Sequence, residues 1–488
     1  ALHRRGAARA PTLPTHEAGP AAARRTYPEN MPERMPRDQR LVLTIAILAS
    51  FVSFLDGTVV TVALPAIRDD LGGGLATQQW VVDAYLITLG ALILVAGSLS
   101  DVYGRIRVLR WGLVLFGITS IAIAAAPTPE FLIVARALQG VAGALLVPSS
   151  LALITATFRD AAQARAIGIW TAATTGAMVV GPVIGGLSVD LLSWRLVFLI
   201  NVVPIVITLW LLAVLRRPDV RAPGRTVDVW GAVLCTLGLG GMVFALIEQP
   251  SLGWGSPTIW GSAAVGVASF AGFLVRQATA ADPMMPLDLF RARNFWAGNL
   301  ATAFVYAALS LNGFVVGVYL QQGAGLSATL AGLATLPITI LMILFSSRVG
   351  DLAGRFGPRL FMTVGPIVMA AGALLLLSVG EAFDYWTQVL PGVIAFGLGL
   401  TLTVSPLTSA ILGAIDTSRS GIASAVNNAI SRVAGLIVIA MLATIVGGAL
   451  DLDGFHRAAV VTAALLAVGG AVSFAGIRNR LPARSDVG

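Results

Sequence analysis

Lysine is absent from this chain. All 32 basic residues are arginine, and charge of either sign is scarce at 11% of residues, where a soluble globular domain carries about a quarter. That shortage excludes an ordinary water-soluble fold. The single cysteine, Cys235, lies in an apolar run and rules out an intrachain disulfide; it reads as a small packing residue. The three histidines, His3, His16 and His456, are scattered, so no metal site is expected. No HExxH, GxSxG or Walker pattern is present to supply a reaction, so neither an enzyme nor a cofactor is expected. The formal charge of +8 comes without any RNA- or DNA-binding pattern, so no nucleic-acid partner is expected either.

What the chain has in abundance is hydrophobicity. It makes up 57% of residues, in runs of about 20, the helix length that crosses about 30 Å of hydrocarbon. Fourteen such runs follow residue 40. Each must be helical, because lipid cannot satisfy a bare backbone. The expected fold is therefore an all-α integral membrane protein with fourteen transmembrane helices. Residues 1–40 are polar, rich in Pro, Ala and Arg, and read as a disordered tail. No apolar core follows a short basic segment there, so no secretory signal is expected.

Arginine placement tests the span count. With the N-terminus inside, only Arg68, Arg195 and Arg457 fall in outer segments. Arg136 and Arg432 lie within spans, and all other arginines are on the inner side. One missed span would destroy this contrast, which is the positive-inside pattern. It places both termini in the cytoplasm, in a multi-pass protein of the inner or plasma membrane.

A repeat sets the architecture. GSLSDVYGRIR (Gly97–Arg107) follows the second span, and SRVGDLAGRFG (Ser347–Gly357) follows the tenth. Asp101, Gly104 and Arg105 fall on Asp351, Gly354 and Arg355. Both copies are on the inner side, so the halves are parallel six-span repeats, as in major facilitator transporters. The expected division is a tail (1–40), a first six-helix bundle (41–216), two inserted helices with linkers (217–294), a second bundle (295–477) and a short tail (478–488).

Polar residues inside spans carry the functional reading. Asp56 sits deep in the first span, FVSFLDGTVVTVALPAI. An acid at the bilayer centre costs about 2.5–3.5 kcal/mol, which makes it a functional candidate by default. It lies about 22 Å from the inner end of its helix, and Arg136 about 8 Å from the outer end of the fourth. These are similar levels, so Asp56 is either the direct or water-bridged partner of Arg136, or Arg136 bonds instead to carbonyls and Gln139. Asp83, near the outer end of the second span, either receives protons or faces water. Asn312 in the ninth span is a neutral counterpart of Asp56. Asn427, Asn428 and Arg432 occupy the inner half of the thirteenth, with a cavity wall preferred over a purely interhelical role.

Four stretches extend this reading: LDGTVVTVALP (Leu55–Pro65), GSLSDVYGRIR, RALQG (Arg136–Gly140) and GPVIGG (Gly181–Gly186). Together and in this order, they resemble the fourteen-helix drug:proton antiporters of the major facilitator superfamily. The first-helix motif departs from the family with Thr61 in place of Asn, and Ala177 stands where a glycine is usual. The resemblance implies a proton-coupled exporter of amphipathic or cationic small molecules, acting as a monomer and driven by the proton gradient. A dedicated exporter of one self-made antibiotic or metabolite is the alternative, with an uptake symporter behind it. Asp56, Arg136 and Asp83 would couple protons. Thr61, Gln139, Asn312, Asn427 and Asn428 would line the substrate cavity. Gly97, Asp101, Gly104, Arg105 and Arg107, with Asp351, Gly354 and Arg355, would gate the inner side. Asp101 is expected to accept bonds from a neighbouring helix N-terminus, and Gly97 and Gly104 to allow close helix approach. Gly181, Pro182, Gly185 and Gly186 would make the fifth helix bent and leak-tight.

Overall fold

The computed structural model describes residues 35–215, 219, 226–416 and 419–479. The expected tail up to residue 34, Arg216, Arg217, Arg221 and Arg225 of the linker, and the chain from Arg480 onward lie outside the described residues.

The described residues form α1 (Arg37–Leu71), α2 (Gly74–Tyr103), α3 (Arg105–Ala124), α4 (Pro129–Thr157), α5 (Asp160–Leu191), α6 (Leu196–Leu199) and α7 (Val202–Val214). Then come α8 (Val229–Leu252) and α9 (Pro257–Thr279). The second half runs α10 (Arg293–Gln322), α11 (Ala328–Ala334), α12 (Leu336–Phe356), α13 (Pro358–Leu375), α14 (Leu390–Leu412), α15 (Ser420–Ala440), α16 (Leu442–Val446) and α17 (Leu452–Gly476). Fourteen stretches are long and apolar enough to span a membrane, with α6–α7 and α11–α12 each counting as one.

Local chemistry sets the ends. Thr128 accepts from the Phe131 amide ahead of Pro129 at the start of α4, the usual N-cap plus first-turn proline. Ser327 and Asp451 cap α11 and α17 in the same way. Proline inside α1, α4 and α5 does not end those helices; neighbouring helices can re-satisfy the freed groups.

In the first half, α1 packs on α5 and α4, and α2 and α3 pack on α4. In the second, α10 packs on α17 and α15, and α13 on α14 and α17. The halves meet along α2–α15, α5–α11 and α1–α10. The inserted pair α8–α9 lies against one of these seams, α8 touching both α2 and α15. There Trp80 donates its indole N–H to Glu248 at 2.8 Å.

The face where the described chain begins and finishes is called the inner face here. Among the described residues, the hydrogen bonds that cross between halves all lie towards the opposite, outer face. Gln79 donates to the Ile439 and Ala440 carbonyls, and Gln321 to that of Val62. Asp190, at the outer end of α5, accepts from the amides of Ala328 (3.0 Å) and Thr329 (2.8 Å) at the start of α11. The outer side is thus the closed one.

Two inner turns reveal a symmetry of the halves. Gly104 breaks α2 from α3 at φ +99°, and Gly357 breaks α12 from α13 at φ +85°, conformations that suit only glycine. Asp219 accepts from the Ile106 and Arg107 amides at 3.1 and 3.0 Å, and Asn479 from the Arg359 amide at 3.1 Å. Each half therefore ties the chain after its last helix to the start of its third. The structural partner of Gly104 is Gly357, not Gly354, which lies within α12.

Candidate functional site

Asp56 is fully enclosed, as Val52, Leu55, Val59 and Val60 around it on α1 are buried too. Its Oδ2 accepts from Arg136 Nη1 at 2.7 Å. Its Oδ1 accepts from Asn201 Nδ2 at 3.2 Å. Of the two partners considered for Arg136, both are present: Nη1 also reaches Gln139 Oε1 at 2.5 Å, and Nε donates to the Val81 carbonyl at 3.0 Å. Gln139 in turn donates to Ser120 at 2.9 Å. The guanidinium stacks 4.3 Å from the Tyr85 ring centroid and 5.8 Å from that of Phe198. Five helices thus surround one ion pair, and only 2% of Arg136 reaches solvent. A buried pair survives only when its remaining hydrogen-bonding capacity is met, and the carboxamides and the backbone carbonyl do this here.

Tyr85, Ser120 and Phe198 were missed by the sequence reading, and so was Asn201, the second partner of Asp56. Asn201 stands in LINVVP, ahead of α7. A lone amide between apolar residues, near the outer end of the sixth span and so at the level of Arg136, was the available signal.

Asp83 does not face water. It is fully buried and neither carboxylate oxygen has a hydrogen-bond partner. Gln139 is also fully buried, held in the Arg136 network, so it does not line a cavity as expected. Asn427 donates to Asn299 (3.1 Å) and Thr302 (2.8 Å) on α10; it joins helices and does not form a free wall. Thr61 faces Gly317 across the α1–α10 seam. Asn312 is nearly buried on α10. Asn428 is half-buried on α15, and its side chain makes no hydrogen bond to any described residue.

The gating loop also differs from expectation. The α3 N-terminus is capped by Asp219, while Asp101 pairs with Arg105 at 3.6 Å. Arg105 also donates to the Ala152 carbonyl at 3.1 Å, and Arg107 is engaged through its amide. Gly97 has nothing within 4 Å of where a Cβ would stand, and Gly104 meets the Asp219 side chain there, so neither serves the close helix approach expected of it. Asp351, Gly354 and Arg355 are exposed at the inner end of α12. The fifth-helix motif does make close contacts: Gly181 and Gly185 on α1, and Gly186 on the α11 backbone at Thr329. Pro182 lies against Gly332 of α11.

Comparison with known proteins shows the family. The Major Facilitator Superfamily model matches residues 46–439. The chain belongs to the major facilitator superfamily. The methylenomycin A resistance protein of Streptomyces coelicolor is 32% identical over 96% of this chain and 95% of its own length. The tetracenomycin C resistance and export protein of Streptomyces glaucescens is 34% identical, covering 82% of this chain and 74% of its own. The multidrug resistance protein Stp of Mycobacterium tuberculosis is 34% identical over 84% and 76%. Among solved structures, a peptide transporter of the POT family aligns with a TM-score of 0.68 at 15% identity, covering 89% of this chain and 93% of that one. A bacterial homologue of the lysosomal transporter Spinster, inward-facing and unoccupied, aligns with a TM-score of 0.64 at 17% identity over 91% and 98%. At these identities the structural likeness speaks for the shared fold.

Proposed function

We propose that the protein is a proton-coupled exporter of amphipathic small molecules, with Asp56 as the main coupling carboxylate. The observation that carries this is the enclosed Asp56–Arg136 pair in mid-membrane, completed by Asn201. A proton arriving from the outer side converts the Asp56 carboxylate to a neutral acid and removes the counter-anion of Arg136. The guanidinium then keeps only Gln139, the Val81 carbonyl and the Tyr85 ring. That change of charge at the junction of α1, α2 and α4 biases the halves towards the other arrangement, and release of the proton inward restores the pair.

Asp83 is the second proton-binding group in this reading. It is enclosed and lacks any hydrogen-bond partner, so the chain offers it no countercharge. The gradient is adequate: about 2.3 kcal/mol per charge per 100 mV and about 1.4 kcal/mol per pH unit support a gradient of a neutral substrate of several hundredfold per proton. No cofactor takes part, and no bond in the substrate is made or broken.

The test uses proteoliposomes carrying a pH-sensitive dye. Wild-type protein is expected to move protons when substrate is added, across a panel of drugs, and Asp56→Asn to lose that flux while eluting as a folded protein. Unchanged exchange in Asp56→Asn would sink the assignment. The single-antibiotic alternative draws support from the relatives whose names specify one compound each; a resistance panel in which only one compound is exported favours it.

A further inference from the structure

The molecule holds a second mid-membrane arginine that the ion-pair site does not use. Arg432 is half-buried on α15 and has no hydrogen bond or ion pair to any described residue. Its position is fixed against α2. The Cβ of Arg432 lies 3.6 Å from where a Gly90 side chain on α2 would begin. Val433 beside it stands 3.6 Å from the same point. Gly90 is near the middle of α2, so Arg432 is central in the bilayer, on the α2–α15 seam between the halves. An arginine there is expensive and marks a ligand or ion pathway when no acid neutralises it.

No acid of the second half does so. The spans α10, α13, α14 and α15 contain no Asp or Glu. Asp351, Asp451 and Asp453 lie at the ends of α12 and α17. In the first half Asp56 is already committed to Arg136, and Asp83 is about 10 Å along α2 from Gly90. Asn428 lies one turn below Arg432 on the same face, where residues four apart are neighbours, and its carboxamide is also without a hydrogen-bond partner among the described residues. A planar cation that pairs bidentately with carboxylates and an amide donor stand together here.

We propose that Arg432 and Asn428 form an anion-binding subsite, and that the transported molecule is an amphipathic organic acid carrying a carboxylate or acidic phenolate. This rests on the exporter reading and narrows its substrate away from cations. It also removes a difficulty of that reading. A monovalent cation exchanged for one proton moves no net charge, whereas an anion leaving as one proton enters moves two charges in the sense the membrane voltage favours. One coupling carboxylate then suffices. The helix α2 meets Arg136 through Tyr85 and Arg432 at Gly90, so one helix joins the bound acid to the proton site.

Binding to the purified full chain tests this without any gradient. Fluorescein (anionic), ethidium (cationic) and Nile red (neutral) are titrated by fluorescence anisotropy. Wild type is expected to bind fluorescein more tightly than ethidium. Arg432→Gln should weaken fluorescein at least tenfold, about 1.4 kcal/mol, and leave Nile red within twofold, while Arg432→Lys, which keeps the charge and loses the bidentate fork, falls between wild type and Arg432→Gln. Thermal unfolding should show little loss of stability in Arg432→Gln, because Gln keeps the Cβ that faces Gly90 and no hydrogen bond or ion pair to a described residue is removed. Ethidium binding as tightly as fluorescein, failure of fluorescein to bind, or equal weakening of all three dyes would overturn the subsite. Proton release is measured separately. Proton-coupled ethidium flux without anion preference sinks only this subsite, and anion binding without proton release sinks only the coupling.

Discussion

Gly186→Ala is a direct probe of the closed outer seam. A Cβ at Gly186 would lie 2.5 Å from Thr329 Cα, 2.7 Å from the Thr329 amide nitrogen and 2.7 Å from the Ala328 carbonyl oxygen. Carbon atoms in good contact stand about 3.5–4.0 Å apart, and all three obstacles are backbone, so no side chain can swing aside. The helices α5 and α11 must separate by about 1 Å. Overpacking of this kind costs about 1–3 kcal/mol. Because the contact exists only with the outer side closed, the whole penalty falls on that arrangement. It shifts the balance towards outer opening by about 5- to 150-fold. Asp190, bonded to the same two residues of α11, resists the separation but cannot relieve the overlap. Spin labels on Leu192→Cys and Leu330→Cys, both exposed at this end, would report the seam by double electron–electron resonance in a Cys235→Ser background. Gly186→Ala should add a longer-distance population. An unchanged distance distribution in a folded, monodisperse sample would refute the idea that this backbone contact holds the outer side shut.

Two further outcomes follow from residues at helix ends. Asp228 caps α8 and binds Arg276 at 2.5 Å and Gln277 at 2.9 Å on α9. Burial pushes its carboxyl up, but the bonds from Arg276, the Gly231 amide and Gln277 outweigh this and hold it below the ordinary 3.8. The ionised form is thus favoured by folding, so its contribution is present above 3.8 and lost as pH falls through the folded value. Asp228→Asn should lower the thermal midpoint at near-neutral pH, and the gap should close below 3.8. Asp219→Ala should cost about 1 kcal/mol, as expected for loss of an N-cap. Faster hydrogen exchange confined to the Ile106 and Arg107 amides would confirm it, and unchanged exchange there would count against the cap.

Depth arithmetic was enough to bring Asp56 and Arg136 to one level, because a membrane helix is a ruler with a fixed rise. The rotation of each helix is not written in a single span, and that is where expectation and structure part. Gln139 and Asn427 are polar residues in spans, as a cavity wall requires. Each instead turns towards a partner on another helix, Ser120 in one case and Asn299 with Thr302 in the other. Burial of Asp83 could not be read from its place near a span end, since α8 and α15 both cover α2. The repeat aligned Gly104 with Gly354 by identity, whereas the backbone requires a glycine at Gly357, where φ is +85°. Asp219 and Asn479 were invisible as partners because a cap joins residues far apart in sequence.

Those caps bear on the order in which the protein is built. The first joins residues 113 apart and the second residues 120 apart. A membrane protein is threaded into the bilayer from its N-terminus, so α3 enters with its first amides uncapped and stays so until Asp219 has been synthesised. α13 waits in the same way for Asn479, which follows α17. Each half is therefore sealed by its own last-made segment. A ribosome stalled before residue 219 would hold an open first half, and one stalled before residue 479 a finished first half beside an unfinished second.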